Sequence, residues 1–539
     1  MNSPSASTET AKLGVKGWLG CLVAFSLLYL ATCQRGVSWQ DGGWYQLRVL
    51  EGDYRGTGSY AGDWGLAVAH PLYIVAARAF AAIPLGTLAG RVNFFSGLGM
   101  AVALANLAAI VTRLTARRWI GVSTAAMLSV AHTVWWLSTV AEVYTWSAVA
   151  LTVELLLLVS LLLQPRWAVL IGLAFTVGVH WSIHNVALLA IPVYGVTALV
   201  LAFRRRLPAW SLGVAAIAFF LGAGLYVFMI VRLAVETGDP GEAIRSALVG
   251  RFAAAVTNVS LSAKTLKVNA ALASLNFASF LLPLAVCGWI SLRRVTGRAI
   301  SAALGAITLI EVVFVARYNV ADQFTFLLPS LVMIALAAGV GLKTLAGHSR
   351  RRTVLAMAAA GFSIVLPPIV YATGPAILRA AGVQVHRGRT LPFRDEVRYW
   401  MVPWKHDEDS AERFTRAALA EASPRGVIVT DGVPFHALLF TQKSESLVPG
   451  VTVTSRFGPL HVYDEPLSEF QLQTAGRKVY LVSPGESYAP RTLEEDAKVS
   501  RPDGAVLYSV RWNAAETGGD VTGSSGPARS PPASESRPR

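Results

Sequence analysis

The chain has 539 residues, 54% of them hydrophobic and 15% charged, with a mean hydropathy of +0.49. Those proportions exclude an ordinary soluble domain and fit a polytopic membrane protein. The net charge of +15 does not point to nucleic acid, because the arginines gather in short loops between apolar spans and no recognition motif accompanies them.

Residues 1–11 are polar and expected to be disordered. Lys12 and Lys16 precede an apolar run over 17–33 that imitates a signal peptide. No good small-x-small cleavage site follows, and Thr32 fits a lipoprotein site poorly, so the run reads as an uncleaved first span. A polar loop, 34–65, carries Asp41, Glu51, Asp53 and Asp63. So acidic and glycine-rich a segment cannot lie in hydrocarbon, where its backbone groups would go unpaired. The stretch 66–85 is moderately apolar but broken by Pro71, Arg78 and Pro84, which predicts an interfacial or re-entrant helix pair.

Further spans are expected at 92–111, 119–140, 143–163, 167–182, 186–203, 208–231, 270–292, 299–315, 324–342 and 353–371, eleven in all. With the N-terminus inside, the loops after spans 2, 4, 6, 8 and 10 are cytoplasmic and hold the arginine clusters, as the positive-inside rule requires. The other loops hold Asp41, His70, Glu142, His180, His184, Asp239 and Asp322. Beyond 373 the chain loses its apolar character. Residues 374–513 read as a small soluble α/β domain, with a helix at 410–422 and strands at 426–430, 478–482 and 505–510. The strand ending at Asp431-Gly432 invites a nucleotide-site reading, but a plain turn explains it more simply. Residues 514–539, rich in Gly, Ser, Pro and Arg, read as a disordered tail.

Cys21, Cys33 and Cys287 form no metal spacing and no disulfide framework, and read as small apolar residues. No Walker A motif, dinucleotide fingerprint or HExxH motif is present. The chemistry must come from ionisable residues at the ends of spans, which are functional candidates because burying them is expensive. Asp41 sits between Trp39 and Trp44, with Gly42-Gly43 allowing a ligand close, or it is a solvated loop carboxylate. Glu142 is a site carboxylate or a brace paired with an outer arginine such as Arg317. His180 and His184, four residues apart, suit hydrogen bonding better than metal, since two ligands alone do not make a site. Asp322 closes the loop or caps a helix, or joins the site. Trp135 and Trp136 are read as interfacial belt residues.

The motifs in order are Trp39-Gln40-Asp41-Gly42-Gly43, His70-Pro71-Leu72-Tyr73, Arg91-Val92-Asn93, Ala141-Glu142-Val143-Tyr144-Thr145, Gly178-Val179-His180, Tyr318 to Gln323, Leu328-Pro329-Ser330, Leu391 to Asp395, and Pro403-Trp404-Lys405. Together they make the chain resemble the GT-C superfamily of polytopic glycosyltransferases, and more closely the bacterial family related to the animal transmembrane protein O-mannosyltransferase. Two departures stand out: the family glutamate three residues after the aspartate is Trp44 here, and the family's longer histidine–proline motif is shortened to His70-Pro71-Leu72-Tyr73. The resemblance implies an α-helical polytopic GT-C-like domain over 12–373, with a first extracytoplasmic loop at 34–91 and an extracytoplasmic C-terminal domain.

It also implies transfer of a sugar, mannose being the one the relative suggests, from a polyprenyl-phosphate donor to a protein, glycan or lipid hydroxyl outside the cytoplasm. Asp41 would be the base of a single inverting displacement. Glu142 and Asp322 would join the substrate site. Arg91, Arg232 and Arg317 would face the leaving phosphate, with His70 and His180 as donors. No dedicated metal cage is visible, and a divalent metal is left open. A flippase of lipid-linked sugar or a non-catalytic envelope assembly factor is the alternative.

Overall fold

The computed structural model describes residues 12–56, 65–383, 391–455, 474, 476–484 and 497–512. The expected disordered ends, 1–11 and 514–539, and Asp63 lie outside them. The first apolar run forms α1, Gly14–Thr32. The polar loop then folds into a helix, α2, Gln40–Glu51, followed by α3, Pro71–Ala81. Two long helices of the bundle, α4, Leu88–Thr115, and α7, Tyr144–Leu163, come next, joined by α5, Arg118–Ser129, and a short α6, His132–Leu137. Shorter apolar helices follow as α8, Trp167–Ile183, and α9, Ile191–Phe203.

Two of the expected spans are bent. Residues 208–231 become α10, Trp210–Gly222, and α11, Gly224–Thr237, which meet at 73°. After α12, Pro240–Leu248, and α13, Ala253–Thr257, come α14, Ala263–Asn276, and α15, Leu281–Thr296, bent by 97°. The helices α16, Arg298–Arg317, α17, Leu327–Ala346, and α18, Arg350–Ala380, complete the bundle. By length and composition six helices, or eight counting each bent pair as one, can cross a membrane among the described residues. They make this an integral membrane protein.

The segment expected to span at 119–140 is not one continuous helix. It breaks at Val130 and Ala131, and α6 begins at His132, whose Nε2 meets the Trp400 carbonyl at 2.9 Å. Trp135 and Trp136 are therefore buried, at 6% and 3% exposure, and do not form an interfacial belt. Trp135 packs on Trp404 and donates to Thr32 Oγ1 at 3.1 Å.

Beyond the bundle lie α19, Glu396–Met401, and α20, Ser410–Glu421. A five-stranded sheet follows, in the order β2-β1-β3-β5-β4. Its strands are β1, Val427–Val429; β2, Thr452–Thr454; β3, Val479–Leu481; β4, Ala497–Ser500; and β5, Tyr508–Trp512. The β1 strand runs parallel to β2 and β3, while β5 runs antiparallel to β3 and β4. Asp431, two residues after β1, caps the next helix, α21, Gly432–Ser444, by accepting from the Val433 N–H at 2.9 Å.

The basic ends of several helices share one face. Arg118 donates to the Lys12 carbonyl at 2.8 Å, Arg117 to that of Gly347 at 2.5 Å, and Arg113 to Ser160 Oγ at 2.6 Å. That gathers the start of α1 and the ends of α4, α7 and α17. The opposite ends of α4, α7, α16 and α17 carry the residues described next.

Candidate active site

The placement of Asp41 begins with a hydrogen-bonded chain of amides. The Ser38 N–H donates to Gln46 Oε1 at 3.0 Å, Gln46 Nε2 to Asn93 Oδ1 at 2.8 Å, and Asn93 Nδ2 to the Gln34 carbonyl at 3.0 Å. Asn93 on α4 thus fixes the angle at which α2 leaves α1. Trp39 is extended, so Asp41 falls in the first turn of α2, and Gly52 ends the helix in the left-handed region at φ 72°. The glycine pair serves packing here. A Cβ on Gly43 would meet the Ser38 carbonyl at 2.5 Å and the Ala437 nitrogen of α21 at 3.2 Å. The sheet-bearing segment therefore lies directly on α2. Trp39 Nε1 donates to Ser410 Oγ at 2.8 Å, and Lys443 pairs with Glu51.

Three carboxylates from distant parts of the chain converge. Glu142, between α6 and α7, is held by its backbone: its N–H donates to Ser96 Oγ at 2.8 Å, and Ser96 donates back to its carbonyl at 3.0 Å. Tyr73 Oη lies 3.2 Å from the same serine. Asp322 sits after α16 and makes no side-chain cap on the turn that follows. Burial, reinforced by the Asp322 carboxylate, pushes Asp41 up to about 7. Burial, then Asp41 and Asp322, raise Glu142 well above the carboxylate range. Asp41 keeps partial access to solvent while Glu142 is buried. The three form no metal-ligating group among the described residues.

An aromatic and histidine wall surrounds them. Tyr45 lies 5.2 Å from Tyr73 and 6.0 Å from His70, ring to ring. His70 holds a left-handed backbone, φ 46°, and its Nδ1 donates to the Ile183 carbonyl at 3.0 Å. It stacks on His184 at 4.8 Å, and Tyr144 lies 4.7 Å from His184. Arg48, fully buried one face along from Asp41, bonds the carbonyls of Asp53, Tyr54, Val68 and Ala69 and lies 4.9 Å over Trp44. It ties the described ends of the 52–69 segment to α2.

The segment after α18 supplies another wall. Arg394 and Lys405 lie 4.7 and 4.3 Å from the Tyr399 ring, and Trp136 lies 6.2 Å from it. Burial holds the Tyr399 hydroxyl above its ordinary range, with Glu142 among the carboxylates that add to this. Burial lowers Lys405 to about 7, and its Nζ donates to the Tyr399 and Val402 carbonyls.

The expected site residues divide. The structure brings Asp41, His70, Glu142 and Asp322 together. It does not bring Arg232, which is exposed and paired with Glu236 at 2.6 Å. Arg317 is bound to the carbonyls of Val256 and Asn258, not to Glu142. Arg91 holds the Gly86 carbonyl at 3.0 Å. His180 is inside the bundle, 2.6 Å from Ser147 Oγ and 2.9 Å from Glu154. Tyr45, Arg48, Tyr144, Tyr399, Arg394 and Trp136 were missed. For Tyr45 and Arg48 the signal was their spacing of four and seven from Asp41, visible once the loop is read as a helix.

Residues 61–207 match the family model for the N-terminal domain of the protein O-mannosyl-transferase TMEM260, a stretch holding His70, Arg91, Glu142 and His180 but not Asp41. No curated protein sequence matches the chain. Among solved structures, ArnT from Cupriavidus metallidurans bound to undecaprenyl phosphate is similar at 12% identity and TM-score 0.55, over 92% of this chain and 98% of that one. Its apo state is similar at 13% identity and TM-score 0.51, over 92% and 97%. The arabinofuranosyltransferase AftD from Mycobacteria is similar at 13% identity and TM-score 0.51, over 94% of this chain and 40% of AftD. These neighbours and the matched family are GT-C-type glycosyltransferases, and the chain has the GT-C fold.

Proposed function

We propose that this protein is a membrane glycosyltransferase that moves a sugar from a polyprenyl-phosphate donor to a hydroxyl group outside the cytoplasm, mannose being the sugar the family match suggests. The observation that carries the reading is the convergence of Asp41, Glu142 and Asp322 within a GT-C fold. The likeness to a structure holding undecaprenyl phosphate supports the class of donor.

The chemistry follows from the carboxylates. A hydroxyl is a weak nucleophile until its proton is taken as it attacks. Asp41, partly accessible and poised near 7, accepts that proton. The acceptor oxygen bonds to the anomeric carbon as the bond to the phosphate oxygen breaks, and the electron pair leaves with the polyprenyl phosphate. Attack opposite the leaving group inverts the anomeric centre. Glu142, whose surroundings favour its protonated form, can donate to a sugar hydroxyl or accept from one. The gathering of arginines at the other end of the bundle supports a cytoplasmic N-terminus, with the carboxylates and the sheet outside; the membrane we assign is the inner membrane of a bacterium. The acceptor is a protein, glycan or lipid hydroxyl; no nucleic acid takes part.

The test is to supply purified protein in lipid with polyprenyl-phosphate mannose carrying a radiolabel and with envelope acceptors. Label should pass to an acceptor and polyprenyl phosphate should accumulate. Movement of the lipid across the bilayer without transfer would make the protein a flippase, and neither outcome would leave an assembly factor.

A further inference from the structure

The arginines that the sequence offers to an anion are occupied or elsewhere. Arg317 gives Nη1 to two backbone carbonyls, Arg232 pairs with Glu236, and the neighbouring Arg48 is taken up by four carbonyls. Arg91 leaves Nε unpartnered, but no contact joins it to Tyr399 or to the carboxylates among the described residues. Arg394 is different. Its side chain is 5% exposed, and Glu396 engages Nε and Nη2 at 2.8 and 2.7 Å, leaving Nη1 without a partner among the described residues. The guanidinium carbon lies 5.4 and 4.7 Å from the Trp39 and Tyr399 rings, and these contacts and Glu396 restrict where Nη1 can point.

Two more buried polar atoms are also unpartnered among the described residues: Trp136 Nε1, a donor on a ring 6.2 Å from Tyr399, and Glu142 Oε2, three residues after Thr139, whose Oγ1 donates to the Pro403 carbonyl at 2.7 Å. Buried polar groups in folded proteins are nearly always paired, and three exceptions where α6, the start of α7 and the segment after α18 meet call for a ligand. Two donors and a carboxyl match an anionic oxygen next to a hydroxyl-bearing group. Trp39, which flanks Arg394, is two residues from Asp41.

We infer that Arg394 Nη1 and Trp136 Nε1 bind phosphate oxygens of the lipid-linked donor, with Glu142 Oε2 on a hydroxyl of its sugar. This rests on the reading of the protein as a user of polyprenyl-phosphate sugars. It makes residues after the last long helix part of the donor site, and places the leaving group within a few residues of the base.

Equilibrium binding of radiolabelled undecaprenyl phosphate to the full chain in detergent tests it, with undecaprenol as the uncharged control and inorganic phosphate as competitor. Removing the arginine alone would strand a buried Glu396, so the variant is Arg394→Gln with Glu396→Gln, compared with Glu396→Gln alone. A lost hydrogen bond to a charged oxygen should weaken undecaprenyl phosphate binding about tenfold or more in the double variant and in Trp136→Phe, which keeps the ring. Undecaprenol binding should stay level, and Arg394→Lys should recover part of the loss. Competition by millimolar inorganic phosphate against wild type alone would support a phosphate subsite. Unchanged undecaprenyl phosphate affinity in Trp136→Phe and in the double variant would overturn the subsite while leaving the lipid-donor reading standing. If the double variant does not fold, Trp136→Phe decides alone. Absence of saturable binding to wild type would instead remove the lipid-donor reading, and the subsite with it.

Discussion

At the scale of the residue, Asp41 carries the heaviest expectation. Asp41→Asn removes the proposed proton acceptor and should lower transfer by about 10²–10⁴-fold while membrane insertion persists, read as initial rate on equal amounts of folded protein. The same residue sets a pH dependence. Burial, then Asp322, raises its pKa from 3.8 to about 7, so the competent carboxylate accumulates as pH rises. The pH profile of kcat/KM should climb toward a plateau above about 7. Stability moves the other way. The folded chain holds the Asp41 proton more tightly than the unfolded chain, so this group's contribution is fully present below 3.8 and is lost as pH rises through about 7. Thermal melts of Asp41→Asn should therefore exceed wild type increasingly above pH 4, with the gap levelling off above about pH 7. Asn93 is the positioning residue beneath. Asn93→Leu strands the Gln34 carbonyl and leaves Gln46 Nε2 only its longer bonds to Ser38 Oγ and the Gly36 carbonyl, at 3.3 and 3.4 Å, which should cost about 1–3 kcal/mol of stability and tilt α2. Its transfer rate should fall without moving the midpoint of the pH profile.

Among the elements, α2 shows where sequence reading stopped. Asp41, Glu142, His70 and Asp322 could be found as ionisable groups at the mouths of apolar spans, because burying such groups is costly and the pattern survives without coordinates. The arginines could not be sorted the same way. Charge at a span end says that a residue leaves hydrocarbon, not whether it meets a glutamate, as Arg232 does, or a backbone carbonyl, as Arg317 does. The helix itself was hidden because its burial comes from α21, some four hundred residues on, and its own composition favours a loop. The two glycines that suggested an approaching ligand are the contact through which α21 docks. Gly43→Ala drives a Cβ into the Ser38 carbonyl, an atom of a fixed backbone that cannot yield cheaply. Hydrogen exchange should then quicken over both 40–51 and 432–444, with transfer reduced. Glu51→Gln, which breaks only the half-exposed pair to Lys443, should shift stability by no more than about 1 kcal/mol and leave exchange at Ala437 unchanged.

For the whole molecule, the bundle separates two chemistries by its length. Lys12, Arg113, Arg117 and Arg118 meet at one end, and the carboxylates, the histidine stack and the α19–α21 segment occupy the other. The long helices fix this polarity in alternation: α4, α7 and α17 run from the site end to the basic end, and α16 returns. Among the described residues six helices, or eight if each bent pair counts as one, are long and apolar enough to cross a membrane, because the expected spans at 119–140, 167–182 and 186–203 form broken or shorter helices; the polarity is the same on either count. The sense of the whole arrangement in the membrane is then a single choice, which the arginine loops make if they stay inside. A protease tag after Arg539 should be cleaved from outside in intact spheroplasts, and a tag before Lys12 should be cut only after lysis. A cysteine placed at Arg205, in the basic turn after α9, should likewise resist an impermeant thiol reagent until the membrane is opened. Cleavage of the N-terminal tag alone in intact cells would turn the carboxylates to the cytoplasm, where an extracytoplasmic transfer could not occur.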